Sequence, residues 1–226
     1  MKITFLGTGA ADWLLEKPEG FTDNRRFSSA MIDDCLLIDP GPHVLSALSE
    51  YGKDIKDIKY VINTHKHSDH YNEDTLKALE DAGALFVEFE AGDEKVLGKY
   101  TVRAYYGNHS TAAATVHFII DDGEKKLFYG LDSAWLMYEE VKGIKEHKPD
   151  FAVLDATIGD VPGDYRIFEH NNLYMVEEMQ KTLAPYVKKF CISHMALTLH
   201  TDHKTLCERM APSDILVAYD GLEVEI

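Results

Sequence analysis

Thr64-His65-Lys66-His67-Ser68-Asp69-His70 places three imidazoles and a carboxylate within six consecutive residues. A strand would send neighbouring side chains to opposite faces, and a helix would fan them out. Only a turn brings all four together. The preceding Ile58-Lys59-Tyr60-Val61-Ile62-Asn63 reads as a buried strand, and residues 72–82 read as a helix. The cluster is therefore expected on a loop at the C-terminal end of a strand, where α/β proteins place their sites. Imidazole nitrogen together with carboxylate oxygen suits zinc, iron or manganese. Two ligands on each of two metals is a natural division of the set.

Outward from this loop, the first half is rich in strands, at residues 2–5, 28–32, 36–38 and 60–63, with a helix at 42–49. Asp33-Asp34 is expected to turn a hairpin. Further strands are expected at 85–88, 100–106, 115–121 and 126–130, with Asp122-Gly123 as a type I′ hairpin signal between the last two. A helix at 135–146, a strand at 151–154, a helix at 172–184, a strand at 190–193 and a helix at 203–210 follow. A final hairpin is expected to pair 215–217 with 223–225 across Asp220-Gly221. Two strand sets with helices between them predict an α/β fold of two similar halves: a four-layer αββα sandwich in one domain spanning residues 1–226. Three later strands also close on metal-competent side chains: Tyr105-Tyr106-Gly107-Asn108-His109, Phe128-Tyr129-Gly130-Leu131-Asp132 and Phe190-Cys191-Ile192-Ser193-His194. Such ends converge on one edge of a sandwich, so seven ligands can be gathered: His65, His67, Asp69, His70, His109, Asp132 and His194. Two metals sharing one carboxylate would be satisfied by that set.

Composition is that of an ordinary globular chain: 226 residues, 45% hydrophobic and 27% charged. No apolar run approaches the roughly 20 residues that span a bilayer. The start, Met1-Lys2-Ile3-Thr4-Phe5-Leu6-Gly7, reads as a strand rather than a signal peptide, so a cytoplasmic location with no membrane contact is the expectation. Cys35, Cys191 and Cys207 are too few and too scattered for a disulfide framework and are expected to be reduced. A formal net charge of -16 repels polyanions and makes nucleic acid a poor partner, while a small anion remains acceptable. Composition leaves the oligomeric state open, a homodimer included.

The His-x-His-x-Asp-His loop, followed by a strand-end His, a strand-end Asp and a late strand-end His, resembles the metallo-β-lactamase superfamily over essentially the whole chain. Phe5-Leu6-Gly7-Thr8-Gly9 and Leu37-Ile38-Asp39-Pro40-Gly41 fit the same pattern. Within the superfamily the chain is most similar to the branch of the carbon–phosphorus-lyase-associated cyclic phosphodiesterase and ribonuclease Z. His170-Asn171-Asn172, Ile192-Ser193-His194 and Ala218-Tyr219-Asp220-Gly221-Leu222 carry that narrower likeness. The resemblance implies His65, His67 and His109 on one metal, Asp69, His70 and His194 on a second, and Asp132 bridging. It implies His170 as a phosphate contact or proton donor, making Asp69 and His170 the catalytic candidates, and Asp39 as a carboxylate that orients a ligand imidazole. Unlike that cyclic phosphodiesterase, the chain has no cysteine cluster near its start. Unlike ribonuclease Z, it has no insertion long or basic enough to grip tRNA.

The expected function is a hydrolase using two divalent ions, zinc or manganese ahead of iron, on a small phosphodiester, cyclic ones included, with ribonuclease Z-like RNA processing as an alternative. Another hydrolase of the same fold would act on a thioester, lactone or β-lactam. A di-iron redox protein is disfavoured, since such relatives carry a glutamate where His67 stands. A non-catalytic binding module would have lost ligands, and none is lost here. His43, His117 and His147 read as structural, His200 and His203 as able to border the pocket, and Gly7-Thr8-Gly9 as a tight turn lacking the lysine of a phosphate loop.

Overall fold

Two β-sheets face each other in the computed structural model, which describes residues 1–15 and 24–226. The elements are β1 (Lys2–Gly7), β2 (Ser29–Ile32), β3 (Leu36–Ile38), α1 (Val44–Glu50), β4 (Tyr60–Ile62), α2 (Glu73–Asp81), β5 (Leu85–Phe86), β6 (Glu94–Leu97), β7 (Tyr100–Tyr106), β8 (Val116–Asp121), β9 (Lys126–Gly130), α3 (Tyr138–His147), β10 (Phe151–Asp155), α4 (Leu173–Leu183), β11 (Lys189–Ser193), α5 (His203–Met210), β12 (Ile215–Val217) and β13 (Glu223–Glu225). The first sheet has the order β13-β1-β2-β3-β4-β5 and the second β12-β11-β10-β9-β8-β7-β6.

Alternation along the strands explains the layers. Ile3, Phe5, Ile32 and Ile38 of the first sheet meet Val102, Phe118, Tyr129 and Val153 of the second in one core. The intervening residues point outward. Leu6, Met31 and Leu37 pack under Val44, Leu48, Leu76 and Leu79 of α1 and α2. Ile119, Leu154 and Ile192 pack under Ile144, Val176 and Leu206 of α3, α4 and α5. Central strands buried on both faces therefore read as continuous apolar runs. The expected αββα sandwich forms, and each large aliphatic or aromatic side chain it buries contributes about 1.5–3 kcal/mol of transfer free energy.

Local chemistry accounts for the turns and for several departures. Asp33 and Asp34 take φ of 49° and 56°, and Cys35 N donates to Ile32 O at 2.9 Å, which makes the β2–β3 hairpin a two-residue turn. The β8–β9 hairpin also forms, but Asp122 N donates to Lys125 O at 3.1 Å, so its inner residues are Gly123 and Glu124 rather than Asp122 and Gly123. Helix α3 starts three residues later than predicted, where Glu140 folds back to accept Met137 N at 2.6 Å. Strand β6 escapes the sequence reading because Glu94-Lys95-Val96-Leu97 is a largely polar edge strand. The predicted final hairpin is wrong. β12 runs parallel to β11 in the second sheet, and β13 pairs with β1 in the first. Asp220-Gly221 instead crosses between sheets: Asp220 accepts Thr8 Oγ1 at 2.7 Å and Arg26 N at 2.6 Å, and Gly221 N donates to Phe5 O at 2.8 Å. Among the described residues, no helix is long and apolar enough to cross a membrane.

Candidate metal centre

Strand exits build the centre. The loop after β4 supplies His65, His67, Asp69 and His70, and the exits of β7, β9 and β11 supply His109, Asp132 and His194. Asp132 and His194 have φ of 55° and 62°, and Asp39, at the exit of β3, has 63°. Aspartate and histidine enter this left-handed region more readily than β-branched residues, and there each turns the chain as soon as its strand stops. Gly41 permits a close approach beside the loop, since a Cβ on it would lie 2.4 Å from Asp69 O.

All seven candidate ligands come together. His65, His67, His109 and Asp132 each offer a ligand atom within 4.8 Å of the others, and so do Asp69, His70, Asp132 and His194. Asp132 belongs to both groups through different oxygens. Its Oδ2 lies 3.5 Å from His65 Nε2 and 3.8 Å from His109 Nε2. Its Oδ1 lies 3.3 Å from His70 Nε2 and 2.8 Å from His194 Nε2. His67 Nδ1 faces His109 Nε2 at 3.2 Å, and His70 Nε2 faces His194 Nε2 at 3.3 Å. Two facing imidazole nitrogens share at most one hydrogen bond, and His65 Nε2 is buried without any hydrogen-bond partner. An unmet buried polar atom costs about 1–3 kcal/mol. A divalent cation in each group would meet these lone pairs at once, so the donor set fits two such ions.

The electrostatics divide the histidines into two kinds. Burial, reinforced by His70, pushes His65 down to about 2, leaving a neutral imidazole with a free lone pair. Burial also lowers His109. Burial is the largest influence on His70 and His194 and opposes their charge, but the surrounding carboxylates, Asp132 foremost, together outweigh it and raise both, so without a cation these rings hold protons that a bound cation would displace. Against its own burial, Asp132 is held far below the usual carboxylate range by His194 and His70. Asp69 is likewise held down, chiefly by His70.

A second layer fixes the rings. Asp39, fully buried, accepts His70 Nδ1 at 2.8 Å, Thr64 N at 2.7 Å and Asn63 Nδ2 at 2.8 Å. His109 Nδ1 donates to Glu169 O at 3.2 Å. Thr157 Oγ1 lies 2.7 Å from His194 Nδ1. Such partners set which ring nitrogen is free to bind. Asp155 is the functional residue that sequence reasoning missed. It accepts His170 Nδ1 at 2.9 Å, Thr157 N at 3.0 Å and Asn171 N at 2.9 Å, and lies 3.4 Å from His194 Nδ1. The available signal was its place at the end of Phe151-Ala152-Val153-Leu154, one residue beyond the predicted strand.

His170 stacks on His194 with ring centroids 5.5 Å apart and lies 5.0 Å from His109. Burial opposes its protonation, but Asp155 raises it above its ordinary value. With Asp132, Asp155 and His194 it forms a third group that could hold an ion. The remaining histidines sit elsewhere. His200 Nε2 reaches Ala156 O at 2.5 Å, beside Asp155. His203, the first residue of α5, has its Nδ1 3.1 Å from Arg25 Nη2, and His117 Nδ1 lies 2.5 Å from Glu140. His43 Nδ1 accepts Phe27 N at 3.0 Å. All three cysteines are free thiols.

Residues 28–72 match the sequence profile of the Metallo-beta-lactamase superfamily. Over 109 residues, 41% of this chain, the sequence is 30% identical to a UPF0173 protein of Pyrococcus abyssi, and the chain spans about half, 49%, of that protein's length. Among solved structures, the metallo-beta-lactamase fold protein YhfI from Bacillus subtilis superposes with a TM-score of 0.78 at 15% identity, covering 100% of this chain and 99% of that one. A diphosphatase from the PhnP family gives a TM-score of 0.74 at 18% identity, covering 100% and 97%. The short form of human tRNase Z gives 0.71 at 17% identity, covering 100% and 99%. These structural likenesses show a shared fold over the whole length, and residues 28–72 match the metallo-beta-lactamase superfamily in sequence.

Proposed function

We propose that the chain is a dinuclear metal-dependent hydrolase of a small phosphodiester. His65, His67 and His109 hold one ion, Asp69, His70 and His194 the other, and Asp132 reaches both. The observation that carries this reading is the two-sided carboxylate of Asp132, with Oδ2 toward His65 and His109 and Oδ1 toward His70 and His194. Two bound ions, zinc or manganese by the nitrogen and oxygen donors, supply an activated water and neutralise charge at phosphorus.

The chain's own residues do the rest. His170 donates its Nδ1–H to Asp155, whose charge favours the imidazolium, and the Nε2 edge of that cation holds the proton to be moved. A departing alkoxide needs such a donor. Asp155 fixes the ring's orientation and, by accepting Thr157 Oγ1, sets that hydroxyl to accept His194 Nδ1–H, which leaves His194 Nε2 free to bind. Asp69 lies 3.3 Å from His70 Nε2 and 3.6 Å from His194 Nε2, the place from which it completes the second ligand group. A net charge of -16 favours a small substrate over an RNA chain. The likeness to a PhnP-family diphosphatase supports phosphoryl chemistry.

The test is elemental analysis together with hydrolysis of bis(p-nitrophenyl) phosphate, with nitrocefin and a lactone in parallel. Asp132→Ala is expected to lose at least one metal equivalent and turnover, and full activity in it would remove the site. His170→Ala is expected to keep both ions while kcat falls about 10²–10⁴-fold on a diester with an alkyl leaving group, and far less on bis(p-nitrophenyl) phosphate, whose leaving group needs no proton. Loss of metal from that variant would make His170 a ligand within the third group instead. Faster hydrolysis of nitrocefin or lactone would move the activity to acyl transfer.

A further inference from the structure

A cavity of about 290 Å³ opens beside the ligand loop, lined by Asn63, His65, Lys66, Phe86, Phe89 and Ala113 among others. One wall follows β5 and the other belongs to the loop between β7 and β8, which carries His109 at its start. The apolar wall is anchored in the core. Phe89 is buried and meets Phe118 edge-on at 5.4 Å, and Phe86 lies 6.3 Å from Tyr71.

The charges around the cavity are already matched. Lys66 Nζ is 2.7 Å from Glu88, and Lys95 Nζ is 2.8 Å from Asp93 while sitting 4.7 Å from the Phe89 ring. Glu90 lines the cavity as well, so acid is in excess and a second anionic group would be repelled. Across from the phenylalanines the chain reads Ala112-Ala113-Ala114, whose side chains are too small to fill the space. Ala114 has φ of 146°, a conformation costly for any residue with a Cβ, and such strain concentrates at ligand-binding segments. Glu169 steadies the loop by accepting Thr111 N at 3.1 Å.

We propose that this cavity seats the non-reacting group of the substrate, and that this group is apolar, uncharged and about the size of one aromatic ring. The volume lies at the lower end of small-molecule sites, enough for a single ring and too little for a dinucleotide. That the group hangs from a phosphodiester rests on the function proposed above.

Two measurements separate these claims. Bis(p-nitrophenyl) phosphate and methyl p-nitrophenyl phosphate share a leaving group and differ only in what would occupy the cavity. The aryl diester is expected to have a kcat/KM at least about tenfold higher, carried mainly by KM. A 4-carboxyphenyl diester should lose that advantage. Ala113→Trp, at an exposed position, fills the space and should bring the aryl-to-methyl ratio toward one. Independently of turnover, the Ala113 and Ala114 methyl resonances should shift on titration with benzyl alcohol, and the Ala114 shift should vanish in Ala113→Trp. Methyl shifts without hydrolysis of any phosphodiester would keep the cavity and overturn the phosphodiester reading. Phosphodiester hydrolysis with a ratio near one in the unaltered protein, or methyls that do not respond, would overturn the cavity proposal.

Discussion

Asp155 is the residue on which the two halves of the proposed chemistry meet. Its carboxylate holds His170 by Nδ1 and, with Thr157, stands behind His194. Asparagine in its place keeps the shape but removes the carboxylate charge that favours the His170 imidazolium, the form that carries a proton on Nε2 as well as on Nδ1. Asp155→Asn is therefore expected to lower activity about 10–100-fold. The loss should be steeper for alkyl leaving groups, which need a proton, than for p-nitrophenolate, which does not. A leaving-group series in both proteins reads this directly, and equal losses across the series would assign Asp155 to metal retention through His194. Sequence alone reached Asp132 and His194 but not Asp155. Asp132 and His194 visibly terminate apolar strands. Asp155 was hidden because the predicted strand stopped at Leu154, and a buried acid one residue later reads as the start of a polar loop. The partners that make it useful, His170 and Asn171, lie 15 and 16 residues away in sequence and are brought near only by the fold.

At the scale of elements, pairing between strands was legible where a turn signal acts locally and illegible where it does not. Asp33-Asp34 and the turn after Asp121 connect neighbours, and both hairpins form. Asp220-Gly221 looks the same in sequence but bridges two sheets, because Asp220 is claimed by Thr8 and Arg26, about two hundred residues earlier in the chain. His117 is a comparable case: a strand histidine whose partner, Glu140, lies on α3. Both side chains are fully buried. Burial alone would lower His117, but Glu140 outweighs it and raises the imidazole above its ordinary value. A raised folded value means the charged pair stabilises fully below about pH 6.5, the unfolded reference. That contribution is lost as pH rises through the higher folded value. Glu140→Gln, which leaves a buried charge without its partner, is expected to cost about 3–5 kcal/mol at pH 6. The difference from the unaltered protein should narrow toward alkaline pH in denaturant titrations. A difference that widens with pH would show that His117 is neutral in the folded state.

For the molecule as a whole, the division of ligands between the sheets matters more than their number. His65, His67, Asp69 and His70 follow β4 of the first sheet, whereas His109, Asp132 and His194 follow β7, β9 and β11 of the second. Each proposed ion therefore ties one sheet to the other at the edge where β4, β7, β9 and β11 end. The apolar core between the sheets holds them together elsewhere, but at this edge the facing groups are imidazoles with unmet lone pairs and buried carboxylates. Binding that occurs only in the folded state stabilises by mass action, about 4 kcal/mol for each ion at a free concentration a thousand times its Kd. Chelation is accordingly expected to lower Tm, and restored zinc or manganese to raise it again in a concentration-dependent way. Hydrogen exchange should quicken first at the exits of β4, β9 and β11, while the hairpins at the opposite edge stay protected. Asp132→Ala, which takes away the carboxylate common to both groups, should abolish most of this metal dependence. If Asp132→Ala kept the full metal-dependent rise in Tm, the ions would not be shared across the sheets through that residue, and the staple would have to be sought in the third group around Asp155 and His170.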